Sequence, residues 1–144
     1  RDAGADIVAL DATLQKNHLG MYGYETIRQV KEEYPDIILM ADCSTFEEAE
    51  KACGAGADIV STTMSGYTPY SGYREGPDYE MLKKCREQLS CFVICEGRIW
   101  SREDAVCCFN SGADAIVVGT AITNPKLITE RFVSYLKEVD IWQS

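Results

Sequence analysis

Histidine is almost absent from this 144-residue chain: His18 stands alone, and no Cys-x-x-Cys pair occurs. The usual ligand sets of zinc are therefore missing. Cys91 and Cys95 sit on one strand-like run about 13 Å apart at roughly 3.3 Å per residue, too far to share an ion. Cys107 and Cys108 are neighbours on a helix-like run and point about 100° apart. Basic residues are also scarce, 14 against 23 acidic ones for a net charge of −9. Nucleic acid is excluded as a partner, because phosphate-backbone binding needs a basic face. A small phosphorylated ligand is not, since backbone N–H groups and a helix N-terminus can hold it without adding formal charge. No apolar run reaches the roughly 18 residues that span a bilayer, and no signal-peptide pattern opens the chain. A cytoplasmic protein with no membrane partner is expected. Its seven cysteines, an odd number lying in strand-like and helix-like runs, are expected to be reduced and mostly buried.

What is present is a repeat. Gly-Ala-Asp occurs at Gly4-Ala5-Asp6, Gly56-Ala57-Asp58 and Gly112-Ala113-Asp114, each time before an apolar run, at intervals of 52 and 56 residues. Each interval holds one further helix-then-strand passage, so the unit is a βα module of roughly 26 to 28 residues. The glycine suits the left-handed residue that ends a helix. Strands are predicted at Ile7 to Leu10, Ile37 to Ala41, Ile59 to Ser61, Cys91 to Cys95 and Ala115 to Val118.

Helices fall between the strands. The first carries Ile27, Val30 and Tyr34 and ends before Pro35. The second opens on Ser44 or Thr45 with Glu47 and Glu48 as a capping box and buries Phe46, Ala49 and Cys53. The third starts near Pro77-Asp78 and turns Met81, Leu82, Cys85 and Leu89 inward. The fourth is capped by Ser101 and carries Ala105, Cys108 and Phe109. The last begins at Thr123-Asn124-Pro125 and is expected to bury Ile128, Phe132, Tyr135, Leu136 and Val139.

Five βα units with short connections make a parallel α/β sheet, and regular repeats without a nucleotide fingerprint favour a barrel over a doubly wound sheet. A (β/α)8 TIM barrel takes about 250 residues, so residues 1–144 are expected to be a single domain, the C-terminal part of such a barrel lacking the first three βα units. The chain opens without methionine, on what resembles a helix tail, as a piece of a longer protein would. Its two open strand edges should drive pairing, and a homo-oligomer is expected.

The carboxyl ends of the strands would gather Asp11 and Thr13, Asp42 and Ser44, Thr62 and Thr63, Glu96 and Arg98, and Gly119 and Thr120 at one mouth. The run Cys91 to Cys95, without alternation, suits a strand buried on both faces. It ends on Glu96-Gly97-Arg98, either a site or a salt bridge between Glu96 and Arg98. Gly97, Gly119 and Thr120 suit a phosphate cradle, or tight turns. The loop Met64 to Tyr73, rich in glycine, hydroxyls and aromatics, suits a flap over a polar ligand, or an ordinary surface loop.

The segments Ile7 to Thr13, Met40 to Thr45, Val60 to Thr68 (VSTTMSGYT), Val93 to Ile99 (VICEGRI) and Val118 to Thr123 (VGTAIT) resemble, in order, N-acetylmannosamine-6-phosphate 2-epimerases. The resemblance implies a TIM barrel of which these are strands four to eight. It implies interconversion of N-acetylmannosamine 6-phosphate and its glucosamine epimer without metal or other cofactor, in sialic acid catabolism. It makes Glu96 the catalytic carboxylate, Asp42, Asp11, Arg98, Thr63, Gly66 and Tyr67 substrate-binding residues, and Gly97, Gly119, Thr120 and Asn124 the phosphate site. The family's proton-abstracting lysine belongs to an earlier strand, so the chain alone is expected to be inactive. Asn124 replaces a family arginine, which Lys126 is a candidate to substitute. Two alternatives remain: another phosphosugar isomerase or aldolase of barrel type, and a non-catalytic fragment that oligomerises through its strand edges.

Overall fold

The structure, a computed structural model, describes residues 3–138. It contains strands β1 (Ile7–Asp11), β2 (Ile38–Asp42), β3 (Ile59–Ser61), β4 (Phe92–Glu96) and β5 (Ala115–Val117). Between and after them run α1 (Gly23–Glu33), α2 (Phe46–Gly54), α3 (Tyr79–Gln88), α4 (Arg102–Asn110), α5 (Thr120–Thr123) and α6 (Pro125–Glu138). The strands are all parallel and pair in chain order, β1-β2-β3-β4-β5. A doubly wound sheet reverses its strand order at a switch point; this one does not, and it is an arc of a (β/α) barrel.

Local chemistry sets the helix starts. Thr45, Asp78 and Ser101 accept N–H bonds from Glu48, Met81 and Asp104 at the starts of α2, α3 and α4, each cap contributing about 1 kcal/mol. Gly56 and Gly112, just past α2 and α4, take positive φ at 105° and 104°, which ends a helix cheaply only for glycine; Gly4, ahead of β1, has φ 76°. The aspartates of the second and third phrases reach sideways. Asp58 accepts from Leu39 N at 2.8 Å and pairs with Lys31 at 2.7 Å; Asp114 accepts from Val93 N at 2.9 Å and pairs with Arg86 at 3.1 Å. Each carboxylate thus ties its strand to the adjacent strand and the helix one unit back.

The core lies between the sheet and the helices. Leu39, Ala41, Val60, Val93 and Cys95 pack from the strands against Ile27, Ala49, Ala52, Leu82, Cys85 and Cys108, each large aliphatic contributing roughly 1.5–3 kcal/mol by burial. The other sheet face carries Ile7, Ile38 and Phe92, which are exposed. The expectation that β4 is buried on both faces therefore fails: Val93 is 1% exposed and Phe92 46%. Barrel strands bury their inner face against strands across the barrel, and an arc of five does not supply them.

Two more expectations are corrected. Phe132, Tyr135 and Leu136 on α6 and Phe109 on α4 are exposed, because no element within the described residues covers those faces; Val139 lies outside the described residues. Cys53 and Cys91 are joined in a disulfide rather than reduced. The end of α2 and the start of β4 bring their Cα atoms to 6.1 Å, within bridging range. Cys43, Cys85, Cys95 and Cys108 are free and buried, as expected, whereas Cys107 is exposed. Among the described residues, no helix is long and apolar enough to cross a membrane.

Candidate active site

Parallel register puts every strand's carboxyl end on one rim. Asp42 closes β2, Glu96 closes β4, and the strand between them continues into Thr62 and Thr63. Thr62 is buried and pins the backbone of Glu96, donating to its carbonyl at 2.9 Å and accepting from its N–H at 3.1 Å. Thr63 faces the rim. Its hydroxyl lies 2.9 Å from Asp42 Oδ1, 3.1 Å from Glu96 Oε2 and 2.7 Å from Ser61 Oγ.

Both carboxyls are held above the usual carboxylate range. For Glu96 the largest cause is burial, opposed by the Thr63 hydrogen bond and reinforced by the charge of Asp42. For Asp42 it is again burial, opposed by Thr63 and reinforced by Asp11. Loss of water disfavours the charged form, and a like charge nearby adds to the effect. Asp11 is exposed, and its Oδ1 accepts from Thr13 N at 2.8 Å.

Beyond Glu96 the chain turns through two successive left-handed residues, Gly97 (φ 100°) and Arg98 (φ 57°). Arg98 is the one non-glycine residue with positive φ among the described residues, a conformation that costs of order 1–3 kcal/mol and needs compensation. Its guanidinium supplies that. It donates to Gly76 O at 3.0 Å and Ser65 O at 2.6 Å and lies 4.9 Å from the centroid of the Tyr67 ring. The salt bridge between Glu96 and Arg98 is not formed; Arg98 clamps the long loop instead.

That loop is built rather than loose. Ser65, fully buried, donates to Asp78 Oδ2 at 2.6 Å, and Arg74 pairs with the same oxygen at 2.9 Å. Thr68 lies within hydrogen-bond distance of Ser44 Oγ and Ser71 Oγ. Glu48 ties the loops together: Oε1 accepts from Leu14 N and Tyr70 OH, and Oε2 from Ser44 N, Ser44 Oγ and Thr45 N, at 2.7 to 3.1 Å. Only the last of these belongs to the capping box legible in the sequence. The others join three separate strand-end loops, a meeting that no local pattern encodes.

A cleft of about 410 Å³ opens at this rim. Thr63 and Tyr67 line it from the β3 side, Glu96, Gly97 and Arg98 from β4, and Gly119 and Thr120 from the end of β5. Trp100 and Leu127, which sequence reasoning did not single out, add apolar wall. Asp42 reaches the cleft through Thr63, whereas Asp11 lines a separate cleft beside Gly23. Gly66 lies against the Arg98 guanidinium. Asn124 is exposed at the junction of α5 and α6, accepting from Leu127 N at 3.1 Å, and Lys126 pairs with Glu130 at 3.8 Å. Burial pushes the Cys95 thiol up, and its sulfur lies 3.2 Å from Cys108 Sγ on the helix side of the sheet.

Consecutive parallel βα units with a polar cleft at their carboxyl ends define a (β/α)-barrel of the enzyme type. The chain belongs to the family described as "NanE: Putative N-acetylmannosamine-6-phosphate epimerase", which matches residues 1–138. A relative from Caldanaerobacter subterraneus subsp. tengcongensis, named "Putative N-acetylmannosamine-6-phosphate 2-epimerase", is 50% identical over 137 residues, covering 95% of this chain and 58% of the relative. One of the same name from Cutibacterium acnes is 43% identical, covering 94% and 59%. The solved N-acetylmannosamine-6-phosphate 2-epimerase from Clostridium perfringens superposes with a TM-score of 0.83 at 39% identity, over 92% of this chain and 57% of that one. The chain thus spans just under three-fifths of the length of these relatives.

Proposed function

We propose that this chain is the strand-four-to-eight part of an enzyme that interconverts N-acetylmannosamine 6-phosphate and N-acetylglucosamine 6-phosphate by removing and returning the proton at C2. The observation that carries this is Glu96, half-buried in the cleft with its carboxyl held above the usual range. It stands beside Gly97, Gly119 and Thr120, whose backbone can receive a phosphate. A proton-transfer group is most effective when its pKa approaches the working pH, and partial burial moves a carboxyl that way. Tyr67 lines the same space and suits a sugar hydroxyl, while Thr63 holds the two carboxyls beside it; Arg98 serves the site by holding Tyr67 and the loop. Asn124, at the junction of α5 and α6, is the candidate for a further phosphate contact.

The family resemblance implies the substrate and the partner base, a lysine on an earlier strand. An aldolase of Schiff-base type fits less well, because none of the five strands ends on lysine. The proposal includes a cytoplasmic location and self-association. Incubating N-acetylmannosamine 6-phosphate in D2O with the full-length protein and with this chain tests it. The full-length protein should produce the epimer deuterated at C2, and this chain none. No turnover by the full-length protein, or turnover by this chain alone, would overturn it.

A further inference from the structure

We propose that Asp42 and Glu96 hold one proton between them at neutral pH, with the Thr63 hydroxyl as the bridge, which makes Thr63 a positioning residue of the site. A threonine hydroxyl has one hydrogen and two lone pairs, and an ionised carboxylate only accepts. Thr63 Oγ1 has three oxygen neighbours within bonding distance: Asp42 Oδ1, Glu96 Oε2 and Ser61 Oγ. With both carboxylates ionised, the single hydrogen serves one of them, and the other meets a lone pair at about 3 Å. A proton on one carboxyl removes the conflict. Glu96 then donates to Thr63, Ser61 donates to Thr63, and Thr63 donates to Asp42, so that one hydrogen and two lone pairs are all used.

The surrounding charges reinforce this. Asp11 on β1 adds a negative charge beside Asp42. Cys43 and Cys95 are buried thiols whose titration is pushed up, and Cys95 is occupied with Cys108. Glu48 is occupied by donors from Leu14, Ser44, Thr45 and Tyr70, and Asp78 by donors from Ser65 and Met81 and an ion pair with Arg74. Arg98, which lines the same cleft, directs Nε and Nη2 to the carbonyls of Gly76 and Ser65 rather than to Asp42 or Glu96. No lysine, arginine or histidine among the described residues forms an ion pair with Asp42 or Glu96. The use of the shared proton in catalysis rests on the epimerase reading; its presence does not.

Carboxyl-13C titration of Asp- and Glu-labelled protein, followed by NMR and assigned with Asp42→Asn and Glu96→Gln, tests this directly. Wild type should lose the two protons in steps separated by more than about one pH unit, the upper step at about pH 7 or above and the lower one nearer the ordinary range around 4. Thr63→Val should shrink the separation, and Thr63→Ser should restore it. An upper wild-type step below about pH 7, or two carboxyls titrating together in the ordinary range, would overturn the proposal without any variant. So would a Thr63→Val profile equal to wild type. Ordinary titration in an enzyme that epimerises refutes the shared proton alone, and a shared proton in a full-length protein without turnover refutes the epimerase alone.

Discussion

Replacing Glu48 by glutamine changes one oxygen to an amide group at nearly constant volume, at a side chain only 2% exposed. Each carboxylate oxygen is an acceptor for at least two donors, two at Oε1 and three at Oε2. Whichever way the amide is turned, its NH2 confronts donors. Turned toward Oε1 it costs least, because the Tyr70 hydroxyl can rotate to accept while Leu14 N keeps its bond to that same hydroxyl at 2.9 Å. Two charge-assisted bonds are still lost, and the remaining three weaken from ionic to neutral strength. At about 1.5–3 kcal/mol for each ionic bond lost, less what Tyr70 recovers, the variant should be about 3 kcal/mol less stable. That is a large share of the roughly 5–15 kcal/mol of an ordinary domain. Urea unfolding measures the change, and amide exchange at Leu14, Ser44 and Thr45 should quicken while the cores of β3 and β4 stay protected. A loss under about 1 kcal/mol, or uniform quickening across the sheet, would refute the assignment of Glu48 as the tie between the loops.

Reducing the Cys53–Cys91 disulfide reopens a loop of 38 residues, and the chain-entropy relation puts its contribution at about 4 kcal/mol; thermal unfolding with and without reductant should show a clear drop, and equal midpoints would contradict it. Gly23→Ala places a Cβ against Ala12 Cα and the Asp11 carbonyl at the start of α1, and backbone that cannot yield should make it about 1–3 kcal/mol less stable by denaturant titration. Asp42 and Glu96 have raised values in the folded state, so folding binds protons there. Their contribution is most favourable at low pH and is lost as pH rises from the unfolded values near 4 through the raised folded ones. Glu96→Gln should therefore raise the urea midpoint at pH 7 relative to wild type, and a lower midpoint would refute the sign. Asp104, held low by bonds from Ser101 and Trp100 against the cost of its burial, works the other way, and its stabilisation should fade on acidification.

Period, caps and turn chemistry carried most of the architecture. Thr45, Asp78 and Ser101 start helices where their spacing predicts, and glycine follows the ends of α2 and α4 with positive φ at Gly56 and Gly112. The strand ending in Cys95 runs one residue further, to Glu96, so the carboxylate leaves the last ordered position of the sheet. The short α5 was missed, because a four-residue turn after Gly119 has no periodicity to betray it. Everything that depends on a neighbour from another unit was hidden too. Asp58 and Asp114 look like turn residues in sequence and act as inter-strand ties. Arg98 looks free to pair with Glu96 and is taken up by carbonyls 22 and 33 residues away. Apolar faces on α6 follow a helical period faithfully, but periodicity does not reveal whether a partner is there to cover them.

The central claim is that the carboxylate ending β4 handles the proton at C2 of the sugar. Glu96→Gln, made in the full-length protein, removes that capacity with little change of shape. Its kcat for N-acetylmannosamine 6-phosphate should fall about 100-fold or more with KM little changed, since general acid–base groups contribute roughly 10²–10⁴. Turnover within a few-fold of wild type would contradict the account.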